Sequence, residues 1–499
     1  MIYIVLSAFL IRSIYNLFYH LFWWERKEYR IDRMFVHLSE TRQGKNWLLN
    51  PLSVIKWFFL VTAIFAQFYF PLLIPAVRLF TFIYLLETVK GLISYGKESL
   101  KRPKIGPRSG GIFLGTGIFL TAISLYFWQM FDFPLVFFLV DKLTSLSIAF
   151  FVFLSNRFFQ LLKMIKLHLA KNKVKKAPNL KIIGITGSYG KTTTKEFTAQ
   201  ILSSKFKVLK TLASQNTDIG IAELILRSDL SKYDYFVCEM SAYKRGEIEN
   251  ICRILRNHII GGVITGINEQ HQSLFKSLEN TMQAKFELIE AVNSGGFAVF
   301  NGSNKYSLQM LEWAKKRKLK FLLVYPSLVN EEKLEISLPG DFFKENLSLA
   351  VSAVKFCGLK ESRMAKGIKN LQLPSKTMNI IKKRSLTIID DTFNANPDGV
   401  YQALNYLRKF KGKKILVLQP LIELGKYADS VHEKIGRLSS KICDAVVLAN
   451  PNFNEPIIKG AGESGLGDKI MYSLPKWAFK NTVILFEGKE SDKFLKYFK

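Results

Sequence analysis

Apolar runs long enough to span a bilayer are confined to the first third of this 499-residue chain. Five runs approach the ~20 residues that a transmembrane helix needs. They lie at 2–23, 53–70, 72–92, 111–131 and 143–162. No small-residue cleavage site follows the first run, which argues against a signal peptide. The pattern predicts a transmembrane helical domain over 1–165 with five spans. The charges at Asp141 and Lys142 interrupt the start of the last span, so four spans are the second possibility. A buried helical bundle is the alternative to a membrane domain.

Basic residues are distributed unevenly around these runs. The chain has 71 Lys and Arg against 40 Asp and Glu, a formal charge of +31. Three segments, 24–46, 97–108 and 163–176, concentrate the positive charge, whereas the connections near Pro71 and Asp132 have almost none. The positive-inside rule then predicts a multi-pass protein of the cell membrane, in contact with membrane lipids, whose later domains are cytoplasmic. These segments supply part of the surplus charge without nucleic acid, for which the sequence has no recognition motif.

Charged residues also occur inside the apolar runs, at Arg12, Arg78 and Glu87. A charge within a membrane span is costly. Such residues either line a groove for lipid or substrate, or extend their charged ends to the membrane surface. The sequence leaves both interpretations open.

The pattern changes after a basic linker at 166–180. Short β-branched runs then alternate with amphipathic stretches, which is typical of α/β domains. We predict a central domain over 181–338 and a Rossmann-like C-terminal domain over 339–499, with the boundary at Pro339-Gly340 and a hinge near 339–342. The predicted strands are 181–186, 234–239, 261–265, 296–300 and 320–324, then 386–390, 414–418, 444–448 and 482–486. Four cysteines without metal-ligand spacing indicate reduced thiols.

A glycine-containing loop joins the first of these strands to a helix. The sequence runs Gly187-Ser188-Tyr189-Gly190-Lys191-Thr192-Thr193. Strand, glycine loop and helix in this order predict a phosphate site, where backbone N–H groups and the helix N-terminus favour anions. Lys191 would contact the β- and γ-phosphates, and the Thr192 hydroxyl would hold Mg²⁺. Position 185 is Ile, so the general pattern GxxxxGK[ST] is replaced by the shorter TGxxGKTT.

A carboxylate follows the second long strand of the central domain. Glu239 ends the hydrophobic run that begins at Tyr235. At the carboxyl end of a strand beside a phosphate loop, a glutamate is a natural Mg²⁺ ligand. A capping or solvated glutamate is the alternative.

Several motifs together resemble the Mur ligases, the ATP-dependent amide-bond ligases of peptidoglycan synthesis. They are the phosphate loop, the Glu239 strand, Gly246-Glu247-Ile248, Glu269-Gln270-His271, Ala284-Lys285 with Glu287-Leu288, and Glu423-Leu424-Gly425 followed by His432. Asp390-Asp391-Thr392-Phe393-Asn394-Ala395-Asn396-Pro397-Asp398 is similar to the signature of the branch that adds D-alanyl-D-alanine. The resemblance covers about 178–499 and implies a Mur-type P-loop central domain and C-terminal domain behind the membrane region, which replaces the usual UDP-sugar-binding domain.

The resemblance also implies roles for individual residues. Gly187 to Thr193 would bind ATP, with Asn346 at the adenine. Two Mg²⁺ ions would be held by Thr192, Glu239, His271 and a carbamylated Lys285. Asp391 and Asn394 would lie where the C-terminal domain closes on nucleotide and amine. The substrates would be a UDP- or lipid-linked muramoyl peptide and D-alanyl-D-alanine, handled by a monomer. Against the family pattern, the chain has Phe342 for His, Lys376 for Arg, Gln419-Pro420 for Gly-Asp and Gly266 for Asn.

Three other classes of function compete with this interpretation. One is a Mur-type ligase with a different amine or a lipid-linked acceptor. Another is a membrane-anchored, nucleotide-binding scaffold of cell-wall synthesis, which the joint presence of Lys191, Glu239, His271 and Lys285 disfavours. The third is a transporter driven by a P-loop ATPase, although the sequence has neither a Walker B run ending in Asp-Glu nor an ABC signature.

Overall fold

The computed structural model describes residues 2–49, 51–69, 81–96, 102–129, 133–212, 215–325, 338–383, 385–462, 470–479 and 481–498. The chain divides into two compact units, Met1–Lys163 and Met164–Lys499. Several predicted features lie outside the described residues: the connections at Pro71 and Asp132, the in-span charge Arg78, and the first part of the predicted span 72–92.

Helices build the first unit. The described helices up to its end are α1 (Ile2–Arg26), α2 (Ile31–Glu40), α3 (Arg42–Leu49), α4 (Pro51–Tyr69), α5 (Thr81–Gly96), α6 (Pro107–Trp128) and the start of α7 (Phe133–Lys175). Within the described residues, two stretches are long and apolar enough to cross a membrane, judged by length and composition: Pro107–Trp128 and Leu135–Lys175. The predicted runs at 2–23, 53–70 and 72–92 are helical where described, but they do not meet that test. The five-span topology therefore stays a prediction.

The charges inside the apolar helices pair with one another. Glu87 Oε2 accepts a hydrogen bond from Arg12 Nε at 2.8 Å and another from Lys56 Nζ at 2.6 Å. Asp141 lies 3.9 Å from Arg12 and 3.7 Å from Lys56. Asn16 Nδ2 donates to Asp141 Oδ1. Arg12 and Glu87 thus form part of a mostly buried network within this unit.

A parallel sheet forms the centre of the second unit's first half. Its described strands are β1 (Lys181–Thr186), β2 (Val208–Lys210), β3 (Tyr235–Glu239), β4 (Ile259–Ile264), β5 (Phe297–Asn301) and β6 (Lys320–Val324). The strand order is β2-β3-β1-β4-β5-β6, and every pair is parallel. Ile182, Ile183 and Ile185 of β1 are fully buried. Because later strands flank β1 on both sides, the crevice at its carboxyl end is the position where doubly wound sheets bind ligands.

Helices connect these strands. They are α8 (Lys191–Leu202), α9 (Asp218–Arg227), α10 (Glu247–Leu255), α11 (Gln272–Phe275), α12 (Leu278–Glu290) and α13 (Lys305–Ala314). Polar side chains begin three of them: Thr217 accepts from Gly220 N, Ser277 from Asn280 N, and Asn304 from Ser307 N. These caps satisfy N–H groups that the first turn leaves without helical partners.

Two helices precede the second sheet in the chain but pack against the helices of the first sheet. They are α14 (Asp341–Phe356) and α15 (Glu361–Lys369). Phe343 is fully buried, with its ring 6.4 Å from that of Phe197 in α8. A Cβ at Gly367 would lie 2.9 Å from Ile201 Cα. The chain therefore passes to the second sheet after Lys369, C-terminal to the predicted boundary at Pro339-Gly340.

The second sheet has the Rossmann-like character expected. Its described strands are β7 (Asn379–Lys383), β8 (Leu386–Asp391), β9 (Lys413–Leu418), β10 (Ala445–Leu448), β11 (Ile470–Met471) and β12 (Thr482–Glu487). The order is β11-β10-β9-β12-β8-β7, parallel except for the antiparallel β7–β8 pair. The connecting helices are α16 (Pro397–Leu407), α17 (Ala428–Ser440), α18 (Asn454–Gly462) and α19 (Asp492–Leu495).

All nine predicted strands are present, with bounds that differ by at most two residues. The prediction from sequence did not include β2, β7 and β11. These three lie at sheet edges, where strands are short or lack the continuous apolar run of a strand buried on both faces. The predicted basic linker also contains structure, because α7 continues to Lys175 and buries Ala170 and Val174 in the second unit's core.

Candidate active site

The loop after β1 has the geometry that its glycines predict. Gly190 has a φ of +72°, in the left-handed region that favours glycine. A Cβ there would lie 2.3 Å from Asn346 Oδ1. A Cβ at Gly187 would lie 2.1 Å from Thr265 Oγ1. Both positions therefore exclude a side chain, and helix α8 begins directly afterwards at Lys191.

Lys191 turns back over this loop. Its Nζ donates to the carbonyl of Gly187 at 2.9 Å and to that of Ser188 at 3.1 Å. Burial lowers the pKa of Lys191, while the charge of Glu239 acts in the opposite direction. An ammonium held at the start of a helix, where first-turn N–H groups have no helical partner, suits a phosphate oxygen.

Asn346, predicted to contact adenine, reaches the phosphate loop from α14. It is 3% exposed, and its Oδ1 accepts a hydrogen bond from Thr194 Oγ1 at 3.1 Å. The side chain thereby links α14 to the first turn of α8. Phe342, which stands where the family pattern has His, packs its ring 4.1 Å from that of Phe343. Where the family pattern has the polar ring of a histidine, this chain therefore has an apolar ring that packs on Phe343.

Tyr189 explains another departure from the family pattern, the glycine at 266. A Cβ at Gly266 would lie 2.4 Å from Tyr189 Cζ, so only glycine leaves room for this ring. The ring is fixed at its other end because Asn304 Nδ2 donates to the Tyr189 hydroxyl at 3.3 Å. The glycine at 266 therefore accommodates the ring of Tyr189.

Glu239 lies at the carboxyl end of β3, as predicted. It is 2% exposed, and its Oε1 accepts from Asn216 Nδ2 at 3.0 Å. Its Oε2 has no hydrogen-bond partner among the described residues. Lys195 Nζ lies 3.5 Å from that oxygen. A buried carboxylate oxygen with spare acceptor capacity fits a role as ligand better than a role as a cap.

Lys195 is a functional candidate that the sequence reasoning missed. It is fully buried and also lies 3.2 Å from Glu196. A signal was present, because Lys195 is four residues after Lys191 and therefore on the same face of α8. Its charge partly offsets that of Glu239.

Lys285 projects from α12 into the same region. It is 3% exposed, and within the described part of the chain its Nζ donates one hydrogen bond, to Ala242 O at 3.4 Å. Burial, followed by the nearby charge of Lys191, lowers the pKa of Lys285 to about 7. A substantial share of this side chain is therefore the neutral amine at neutral pH, which is the form that reacts with CO₂.

His271 lies between the central and C-terminal domains. Its Nδ1 is 2.6 Å from Glu423 Oε2. Burial lowers the pKa of His271, Glu423 raises it, and the charges of Lys285 and Lys191 lower it further. His271, Lys191 and Lys285 are thus near enough to influence one another, as the shared site requires.

The predicted residues of the C-terminal domain are arranged less simply. Asn394 is exposed, whereas Asp391 is buried, with its Oδ1 accepting from Met378 N at 3.3 Å. Burial raises the pKa of Asp391 to about 7. The contacts with the central domain come from the end of the same motif, because Asn268 Nδ2 donates to Asn396 Oδ1 at 3.2 Å and to Asp398 Oδ2 at 2.8 Å.

The other two departures have local partners. Lys376 Nζ lies 3.4 Å from Asp492 Oδ1, and Lys376 has a φ of +56°. Gln419 Oε1 accepts from Glu490 N at 2.9 Å. Both side chains therefore contribute to the packing of the C-terminal domain.

Magnesium fits the donors of this site under one condition. Within the described part of the chain, no three His, Cys, Asp or Glu side chains converge to hold a metal ion. Mg²⁺ normally takes one or two carboxylates and completes its shell with water and substrate phosphates. The open Oε2 of Glu239, with the Thr192 hydroxyl at the loop, suits an ion that arrives with a nucleotide phosphate.

The fold and the loop together define a two-sheet α/β protein with a P-loop phosphate site at its switch point. Residues 185–337 match the family described as Mur ligase middle domain, and residues 378–482 match that described as Mur ligase, glutamate ligase domain. The chain therefore belongs to the Mur ligase family, as its motifs predicted.

Named relatives and solved structures agree with this assignment. The chain is 30% identical over 279 residues to the UDP-N-acetylmuramoyl-tripeptide–D-alanyl-D-alanine ligase of Bacillus subtilis, covering 52% of this chain and 60% of that protein. For the Buchnera aphidicola (Acyrthosiphon pisum) ligase of the same name, identity is 27%, covering 64% and 76%. MurF from Acinetobacter baumannii shares the fold with a TM-score of 0.59 at 23% identity, covering 67% of this chain and 80% of that one. The chain thus spans about three fifths of the Bacillus relative's length.

Proposed function

We propose that this protein is an ATP-dependent C–N ligase that joins D-alanyl-D-alanine to a muramoyl tripeptide during cell-wall synthesis. The observation that carries the proposal is the phosphate loop with Lys191 over it, set beside Glu239, Lys285 and His271. The relatives named above are ligases of this specificity. The segment Asn394-Ala395-Asn396-Pro397-Asp398, called the NANPD segment below, supports D-alanyl-D-alanine as the amine.

The reaction would proceed in two balanced steps. A carboxylate oxygen of the peptide attacks the γ-phosphorus of ATP, so a P–O bond to ADP breaks and an acyl phosphate forms. The amine of D-alanyl-D-alanine then attacks the acyl carbon, phosphate leaves and the nitrogen loses a proton. Positioning and charge stabilisation dominate such chemistry. The backbone N–H groups of Gly187 to Thr193 would hold the phosphates, and the Lys191 ammonium would bind the oxygens that gain charge.

The remaining predicted residues would complete this site. Thr192, Glu239, His271 and Lys285 are the proposed holders of two Mg²⁺ ions, which when bound neutralise phosphate charge and polarise the γ-phosphoryl group. Lys285 would serve as a carbamate. Its burial and the shift of its pKa to about 7 support this, since only the neutral amine adds to CO₂. Asn346 would contact adenine from its place beside Gly190.

On the amine side, the NANPD segment is the proposed contact. Asn394 is exposed at its start, and Asn396 and Asp398 anchor its end to Asn268 of the central domain. Asp391 would support this segment indirectly, because its carboxylate accepts a hydrogen bond from the backbone N–H of Met378. The protein would work as a monomer.

A membrane location is proposed for the same enzyme. Two stretches are long and apolar enough to cross a bilayer, and the basic segments favour a multi-pass topology with cytoplasmic catalytic domains. A lipid-linked muramoyl peptide is therefore a second candidate for the acyl substrate. Tethering the site to the membrane would raise its effective concentration towards such a substrate.

ADP release by the detergent-solubilised full chain tests the proposal. Muramoyl tripeptide donors, UDP-linked and lipid-linked, are supplied with and without D-alanyl-D-alanine, and Lys191→Ala serves as the control. We expect repeated turnover of ATP to ADP only when donor and amine are both present, because the donor alone allows at most one acyl phosphate and one ADP per site. Failure with every donor, or turnover only with other amines, would reject the assigned specificity. Efficient ligation of the UDP-linked form alone would reject the lipid-linked candidate.

A further inference from the structure

The contact between His271 and Glu423 joins two domains at the proposed site. His271 precedes α11 in the central domain, whereas Glu423 lies between β9 and α17 in the C-terminal domain. Besides the 2.6 Å side-chain contact, Ser273 N donates to Glu423 O at 3.3 Å. Gly425 closes on the same backbone, since a Cβ on it would lie 3.4 Å from Ser273 N. The imidazole is thus held by the opposite domain.

Both partners occupy backbone conformations that their side chains disfavour. The φ of His271 is +62° and that of Glu423 is +67°. The left-handed region costs a residue with a Cβ about 1 kcal/mol or more, and glycine would avoid this. Strain of this kind is concentrated at functional sites, where the side chain is needed in spite of it. Two strained residues in direct contact indicate that the contact itself matters.

The contact also determines which ring nitrogen carries the proton. A carboxylate can only accept, so His271 Nδ1 must be the donor in this hydrogen bond. The neutral ring then presents Nε2 as a lone pair. Histidines that bind metal usually donate their other N–H to a carboxylate, which fixes ring and tautomer. Among the described residues, Glu423 is the carboxylate in that position.

We propose that Glu423 is a positioning residue that makes the His271 site dependent on domain closure. With the two domains together, the Glu423 carboxylate fixes the Nδ1–H tautomer, which leaves the lone pair on Nε2 available to a metal ion. With the domains apart, the imidazole loses this partner and its tautomer relaxes. The metal-holding role of His271 is therefore complete only in the closed enzyme. This inference rests on the proposed function for its metal, but not for its tautomer.

Histidine tautomers measured by ¹⁵N NMR test the inference on the full chain. The protein has six histidines, so His271 is assigned by the signal that His271→Gln removes. The variants are Glu423→Gln, which keeps an acceptor oxygen, and Glu423→Gly, which suits the positive φ and so separates folding from the side chain. Glu433→Gln is the matched control, because Glu433 lies in the same domain and pairs with Lys459 at the surface.

The four proteins should fall into two groups by the tautomer of His271. Wild type, Glu433→Gln and Glu423→Gln should show His271 as the Nδ1–H tautomer, whereas Glu423→Gly should shift it towards Nε2–H. Affinity for Mn²⁺ with a non-hydrolysable ATP analogue, measured by EPR, should fall about tenfold in Glu423→Gly. An Nε2–H tautomer in wild type, or no change of tautomer and Mn²⁺ affinity in Glu423→Gly, overturns the inference. If the tautomers follow the pattern but ligase turnover is absent, the proposed function fails instead.

Discussion

The two units of this protein bury charged side chains in opposite ways. In the helical unit, Glu87 accepts from both Arg12 and Lys56, and Asp141 lies near both cations. At the end of β3, Glu239 Oε2 has no hydrogen bond among the described residues, with Lys195 Nζ 3.5 Å away, and the hydrogen bond described for Lys285 Nζ is long, at 3.4 Å. Buried charges are normally paired because desolvation is costly. Paired charges thus indicate a structural role, and incompletely paired ones indicate a ligand.

The largest effect should follow the loss of the charge at the phosphate loop. Lys191→Ala should lower ligase turnover by about 10³-fold, because the transferring phosphoryl group loses its main cationic contact. The thermal midpoint should stay close to that of wild type, since the hydrogen bonds of Lys191 Nζ among the described residues are to loop carbonyls. Turnover and calorimetry of the full chain measure both. Lys166→Ala, which removes an exposed pair with Glu223, is the control.

Lys285 should make turnover depend on pH and on CO₂. Its pKa is lowered to about 7, so below that pH the amine is protonated and cannot form a carbamate. Turnover should therefore rise with pH through about 7, and added bicarbonate should increase it most near the midpoint. Lys285→Ala should lose about 100-fold and ignore bicarbonate. A bicarbonate response in Lys285→Ala equal to that of wild type would exclude the carbamate.

Breaking the paired network should affect stability and leave catalysis intact. Glu87→Gln leaves Arg12 and Lys56 without their shared carboxylate, which should cost about 3 kcal/mol. Combining it with Arg12→Met should recover part of that loss. Differential scanning calorimetry checks the stability and ADP release checks the activity. A strong loss of turnover at unchanged stability would show that this network serves the reaction and would erase the contrast drawn here.

The smallest effect concerns the acid pair behind the NANPD segment. Asp391 and Glu487 are neighbours in the β8–β12 register, and burial raises the pKa of both. A raised carboxyl pKa means that the folded state keeps a proton that the unfolded state releases, so stability falls as pH rises from about 4 through about 7, where Asp391 titrates, and continues to fall as Glu487 loses its proton. Glu487→Gln should flatten this fall and stabilise the protein by about 1–2 kcal/mol at pH 8. Unchanged pH dependence of the unfolding midpoint would contradict the paired titration.

The sequence predicted most of this architecture because its signals are local. The alternation of β-branched runs located nine strands, and the glycine spacing located the phosphate loop beside Glu239. Pairings between distant segments were not predictable, because periodicity carries no information about which elements meet. Examples are the Glu423 contact with His271, the fit of Tyr189 over Gly266, and the packing of Phe343 on Phe197. Because Phe343 packs on Phe197, the helices that begin at Asp341 belong to the first sheet, and the chain enters the second sheet only after Lys369.

The central claim is that this site transfers a phosphoryl group from ATP to a carboxylate oxygen. Ligation with a muramoyl tripeptide whose acceptor carboxylate carries ¹⁸O at both oxygens tests it directly. If an acyl phosphate forms, mass spectrometry should find one ¹⁸O atom in each phosphate released as the amide appears. Phosphate that contains oxygen only from ATP and solvent, despite amide formation, would contradict the account.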